Sequence, residues 1–168
     1  MNLKEELEYG AFLEKILKNV IVRKKTEKEG ERVFEFLDAK NEENADKFLE
    51  RAIEHIKDMG YINDKKYAEL FVQDYINLKR NSIYEIRMKL KQKGIKEEYI
   101  IKAFELYEEE LRKYEIDNLI KILKTKKYGV DFESDRKIMN YIYRKGYKTS
   151  NISIAKDEYN YMKEDEEY

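Results

Sequence analysis

An all-α fold is what the sequence predicts, built of tandem three-helix units of helix-turn-helix type that form an elongated, curved array. Three observations predict it. The 168 residues include no Pro and only 6 Gly, and 42% are charged, with the strong helix formers Lys, Glu, Leu and Ile prominent. One helix-length pattern occurs twice. Each copy ends on a Gly placed to stop a helix.

The pattern is Ser, three residues to Glu or Lys, then Ile, four more to Leu or Ile, and four more to Gly. Its first copy is Ser82, Glu85, Ile86, Leu90 and Gly94; its second is Ser134, Lys137, Ile138, Ile142 and Gly146, starting 52 residues later. Ser82 can cap a helix with its hydroxyl while Glu85 reaches back to the cap, a reciprocal box. Ser134 is the expected cap of the second copy, with half a box because Lys137 stands where Glu would. The paired aliphatic residues lie one turn apart on a single face. Gly94 and Gly146 supply the left-handed residue after each helix, and Ile95 and Tyr147 are placed to fold back on the last turn.

A helix precedes and a helix follows each copy. The preceding ones are expected from about Asp64 to Lys79, with Tyr67, Phe71 and Tyr75 inward, and from about Glu110 to Lys126, with Ile116, Leu119, Ile120 and Leu123 inward. The following ones carry the stripes Ile100, Ala103, Phe104 and Ile152, Ala155, with Tyr159 and Met162 beyond. A degenerate first unit is read in the first sixty residues. Val33, Leu37 and Asn41 repeat the spacing, and Phe48, Ala52 and Ile56 form a closing helix that stops at Met59-Gly60. A second reading stands beside it: Val20-Ile21-Val22 and Val33-Phe34-Glu35-Phe36 flank the segment Lys25–Gly30 as a short β-hairpin would, near residues 20–37. The expected divisions are residues 1–61, 62–110 and 111–162, one unit each, with 163–168 a frayed acidic tail.

Composition also limits function. With no Cys and one His, no disulfide framework and no thiolate metal site is expected, and no cofactor. The charged start Met1-Asn2-Leu3-Lys4-Glu5-Glu6 lacks the apolar run of a signal peptide, and no long apolar stretch suggests a membrane span. A soluble, cytoplasmic protein is the expectation. Net charge is −1, which gives no global pull toward nucleic acid. The charges segregate, however. Acidic residues gather at Glu105–Glu110 and Asp157–Glu167, basic ones at Lys79–Lys93 and Lys121–Lys148.

The run Gly60-Tyr61-Ile62-Asn63-Asp64-Lys65-Lys66-Tyr67-Ala68-Glu69-Leu70-Phe71-Val72 is similar to the most recognisable segment of the RecX family. There a Gly is followed by an aromatic, an aliphatic, Asp or Asn, Asp, and then a spaced aromatic, Ala, aromatic and Val or Ile. Ser82 to Ile95 resembles the family's second-helix signature, and the tandem triplets match too, from about residue 45 to 155. Two departures stand out. Leu78-Lys79-Arg80-Asn81 replaces a Gly- and Arg-rich turn, and the spacing from Ala11 to Val33 is longer than in the family. The resemblance implies a monomeric, non-enzymatic regulator that binds in the groove of the RecA recombinase filament on DNA. It would bridge neighbouring protomers and inhibit ATP hydrolysis and strand exchange, within DNA repair, recombination and the SOS response. A curved helical array offers an extended surface for such a task.

Candidate RecA or DNA contacts are the two basic bands: Lys79, Arg80, Arg87, Lys91 and Lys93, and then Lys121, Lys124, Lys126, Lys127, Arg136, Arg144 and Lys145. Their attraction would be to phosphate, single-stranded or duplex, or to acidic patches on the filament; against it, lysines often do no more than solvate a helix. Tyr67, Tyr75, Tyr99 and Tyr107 fall on core positions, whereas Tyr84, Tyr141 and Tyr143 stay open as base-stacking platforms. His55 has no adjacent nucleophile, no carboxylate pair has an apolar setting, and no Gly-rich phosphate loop is present. An enzyme is not expected. Two rival functions remain: an independent DNA-binding helical protein, and a helical adaptor for another protein. Against the first, no helix gathers Arg, Asn and Gln at its N-terminal end to read bases.

Overall fold

Glycine stops and reciprocal caps cut the chain into helices. In a computed structural model, residues 3–21, 28, 45–78 and 81–166 are described. They form α1 (Leu3–Ile21), α2 (Ala45–Asp58), α3 (Asp64–Leu78), α4 (Ile83–Gln92), α5 (Glu97–Leu106), α6 (Glu108–Thr125), α7 (Phe132–Arg144) and α8 (Thr149–Glu166). Among the described residues every regular element is a helix. Most of the hairpin alternative at residues 20–37 lies outside them, as do Val33, Leu37 and Asn41, although Val20 and Ile21 continue α1.

Two compact units emerge, and the division passes through α3, the end of α4 and the start of α5: Met1–Ala68 with Lys91–Tyr99, and Glu69–Leu90 with Ile100–Tyr168. In the first, α1 places Tyr9, Phe12 and Ile16 on one stripe, three and four residues apart. α2 answers with Phe48, Ala52 and Ile56, the expected closing stripe, and Ile62 completes the cluster. The Phe48 ring meets Tyr9 edge-on at 5.8 Å and Phe12 at 5.9 Å. Burial of each such side chain stabilises the fold by about 1.5–3 kcal/mol. α2 then stops as its sequence dictates. Gly60 adopts a φ of 75°, and the Tyr61 amide donates back to the Ile56 carbonyl at 3.0 Å. Asn63 next caps α3, its side-chain oxygen accepting from the Lys66 amide at 2.8 Å.

In the second unit α6 runs along α8. Leu119 and Leu123 of α6, Ile138 and Ile142 of α7, Tyr147, and Ile152, Ala155 and Tyr159 of α8 form one buried cluster. Ile86, Leu90, Ile100 and Ala103 are also buried, so both copies of the pattern turn their aliphatic residues inward. Burial pushes the Tyr147 phenol far above its usual value, with the nearby Tyr114 and acidic groups adding to it.

Four expectations need correction. Ser134 is not the cap of α7: Asp131 is, in extended conformation, with its carboxylate accepting from the Ser134 amide. An Asp at that place is as good a cap as Ser, and starting there gains nearly a turn of helix. In α3 the fully buried residues are Ala68 and Val72, whereas Tyr67, Phe71 and Tyr75 are half-buried. A small residue lets the backbone approach its neighbour, and the larger rings are displaced to the margin, where Phe71 stacks on Tyr75 at 4.6 Å. Tyr99 and Tyr107 are likewise half-buried. Finally, α8 stays helical through Glu166, into the stretch expected to fray, and Met162 is exposed rather than inward.

Candidate functional site

The start of α4 is held by residues of α6 and of the end of α7. Within α4 the expected box is complete. The Glu85 amide donates to Ser82 Oγ at 3.1 Å, and the Ser82 amide donates to Glu85 Oε2 at 3.1 Å. Ser82 Oγ donates in turn to the Lys145 carbonyl at 2.5 Å, so the hydroxyl caps one helix start and one helix end. The Lys145 ammonium closes the loop on Glu85 Oε1 at 2.6 Å. Burial pushes the Glu85 carboxyl up, but the bonds from Lys145, Ser82 and Asn81 outweigh it and hold it below the usual carboxylate range. The bond to Glu85 raises the Lys145 ammonium.

Beneath this box lies Glu115 of α6, wholly buried. Its Oε1 accepts the Ile83 amide at 3.0 Å, while Oε2 accepts the Asn151 side-chain amide at 2.7 Å and the Lys148 amide at 3.4 Å. One carboxyl group thus satisfies donors at the starts of both α4 and α8. One residue earlier, the Tyr114 hydroxyl donates to the Asn81 carbonyl and accepts from the Asn81 amide. A local hint exists for Glu115: it sits between Leu111 and Leu119 at the four-residue spacing of a buried stripe.

Above Ile83 and Asn151 opens a groove of about 550 Å³, with Ile83, Ile101, Phe104, Leu111 and Ile154 as its apolar lining. Arg87 lies on it, half-buried, together with Glu105, Glu108 and Arg112. The basic residues predicted as contacts are dispersed. Lys79 and Arg80 lie outside the described residues. Lys91 pairs with Glu97 at 2.9 Å, and the Lys93 ammonium stands 5.6 Å from the centre of the Tyr67 ring. Lys145 is engaged with Glu85 as above. Lys121, Lys124, Lys127, Arg136 and Arg144 are exposed.

The structure does bring some of them together. Lys121 and Lys126 share a second groove with Asn118, Thr125, Tyr141 and Tyr147, and the Lys126 ammonium lies 4.8 Å from the Tyr141 ring centre. Tyr84 and Tyr143 are exposed, but the Tyr84 ring rests against Gly146. His55 is exposed near the end of α2. Among the described residues no group of three or more His, Asp or Glu is arranged to hold a metal, and no helix is long and apolar enough to cross a membrane.

Among the described residues the helices, with left-handed glycines after several of them, define an all-α fold. The model of the second three-helix domain of RecX matches residues 63–103, which run from the α3 cap to α5. The Regulatory protein RecX of Lactococcus lactis subsp. cremoris is 31% identical over 115 residues, 65% of this chain and 42% of that protein. That of Bacillus cytotoxicus is 30% identical over 109 residues, 62% of this chain and 39% of that protein. The chain therefore spans about two fifths of the length of these curated relatives. The crystal structure of RecX from Lactobacillus salivarius superposes with a TM-score of 0.72 at 22% identity, covering 90% of this chain and 96% of that one, which shows a shared fold. By these matches the chain is similar to RecX proteins over residues 63–103 and, more loosely, over about two thirds of its length.

Proposed function

We propose that this protein is a regulator that binds the RecA filament on DNA and restrains its ATP hydrolysis and strand exchange, acting by contact and not by catalysis. It would do so as a cytoplasmic monomer, through charged helix surfaces. The match of residues 63–103 to the RecX second three-helix domain carries this reading. Two further features support it. The exposed cations Lys121, Lys124, Lys127, Arg136 and Arg144 lie on α6, α7 and their connection. The polar groups of the junction are used up in holding helix ends, which suits a scaffold more than an active site.

Independent DNA binding is the second reading, favoured by the groove that joins Lys121, Lys126 and Tyr141. Binding of the labelled protein to RecA-coated single strands, to bare single strands and to bare duplex separates the two. The proposal expects binding to the coated strand that exceeds binding to either bare form at equal salt. Equal binding to bare DNA overturns it in favour of the second reading.

A further inference from the structure

We infer that the connection between α6 and α7 is a preformed anchor, which inserts Val130 and Phe132 into an apolar, carboxylate-rimmed pocket on the partner protein. The inference deepens the functional reading above and rests on it, the partner being a RecA protomer in the filament.

Phe132 is 83% exposed and Val130 is 70% exposed, two large apolar side chains flanking Asp131 at one tip. Single exposed aliphatic residues are ordinary; a phenylalanine and a valine presented together to water are less so. The third apolar residue of the tip turns the other way. Tyr128 meets the Tyr159 ring edge-on at 6.4 Å, and its carbonyl accepts the Tyr159 hydroxyl at 3.4 Å.

The tip is also held rigid. The Tyr128 amide donates to the Leu123 carbonyl at 2.9 Å, closing α6. The Gly129 amide donates to Asp135 Oδ1 at 2.7 Å, and the Ser134 amide to Asp131 Oδ1 at 2.9 Å. Lys127 occupies the left-handed position after α6 with a φ of 56°, a place where glycine is the usual residue. A side chain is kept there although the backbone disfavours it. A loop so fixed loses little conformational freedom on docking, which is how a small apolar anchor becomes effective.

Charge says what kind of pocket fits. From Lys124 to Lys137 the chain carries five cations, Lys124, Lys126, Lys127, Arg136 and Lys137, against three carboxylates, while the whole chain has a net charge of −1. Asp131 and Asp135 keep their charge while accepting backbone amides, and Glu133 pairs with Lys137 at 2.9 Å, so cations still exceed carboxylates by two over this stretch. The tip thus meets a partner as apolar residues within a positive surround, complementary to an apolar pocket edged by Asp and Glu.

The test is binding to RecA-coated single-stranded DNA by fluorescence anisotropy, with thermal melting of each variant by circular dichroism. Phe132→Ser and, separately, Val130→Asp are expected to weaken binding at least about tenfold while melting as the parent does. Lys127→Glu is expected to weaken binding and flatten its salt dependence. Tyr161→Ser, which removes another exposed ring, this one from α8, is expected to bind as the parent does. Parent-like binding by both Phe132→Ser and Val130→Asp overturns the inference and leaves the functional reading intact. No binding by the parent protein overturns the functional reading, and the inference falls with it.

Discussion

Glu115 Oε1 accepts the backbone N–H of Ile83 at 3.0 Å, so a side chain of α6 caps the first turn of a helix that begins 32 residues earlier. Its other oxygen serves Asn151 and Lys148, at the start of α8. Glu115 is wholly buried, and so is its bond to Asn151. Replacement by Gln is expected to cost about 2 kcal/mol, because an NH2 then faces a donor. Replacement by Ala is expected to cost about 4 kcal/mol, since all three donors lose their partner and a cavity remains. Urea unfolding of the two variants checks both the order and the size. Parent-like stability in Glu115→Ala would show that the junction does not hold these helix starts.

A second prediction concerns pH. The folded Glu85 carboxyl lies below its unfolded value, so its contribution is complete above the ordinary carboxylate value of about 4.3 and is lost as pH falls through the folded value. Glu85→Gln keeps the reach back to the cap but loses the charge toward Lys145. The variant should be less stable than the parent at neutral pH, by about 1 kcal/mol given the partial exposure of the pair. The gap should narrow toward pH 3. Unfolding midpoints of both proteins across that range measure it, and a constant gap counts against the assignment.

Gly146 and Gly60 share a φ of 75°, but a Cβ on Gly146 would come within 2.7–2.8 Å of the Tyr84 ring and its Cβ, while a Cβ on Gly60 meets open space. Gly60→Ala therefore costs the left-handed backbone strain alone, about 1–2 kcal/mol. Gly146→Ala should cost more, and adding Tyr84→Ala should recover the excess. Thermal melting of the set decides it; equal losses at the two glycines would contradict the contact.

Tyr9 carries a buried hydroxyl with no hydrogen-bond partner among the described residues, beneath the Arg51 guanidinium at 4.2 Å from its ring centre. Burial raises the phenol, an effect that Arg51 opposes. Tyr9→Phe removes the unsatisfied group and keeps the ring contacts with Phe48. Stability should be unchanged or rise by up to about 1 kcal/mol. A clear loss on denaturant unfolding would mean that the hydroxyl is bonded after all.

Much of the fold is legible in the sequence because its signals are local. Gly60, Gly94 and Gly146 stop helices, Ser82 and Glu85 form the box within four residues, and Phe48, Ala52 and Ile56 mark a face by spacing alone. Where two local options compete, the pattern fails. Asp131 and Ser134 are both good caps, and only packing of the extra turn chooses between them. Tyr67, Phe71 and Tyr75 keep helical spacing, yet Ala68 and Val72 on the adjoining stripe are the ones fully buried. The junction is less legible still. Glu115 meets Ile83, Lys148 and Asn151 across 32 to 36 residues, and no local spacing ties them. Lys145 looks like another surface cation until the fold sets it on Glu85. Val130 and Phe132 read as ordinary apolar residues, since sequence does not reveal which ones a rigid turn leaves outside.

The most direct measurement of the central claim is ATP hydrolysis by RecA on single-stranded DNA as this protein is titrated in. The account predicts a dose-dependent fall in hydrolysis, reached well below protein concentrations that coat bare DNA. Unchanged hydrolysis at saturating protein would contradict it.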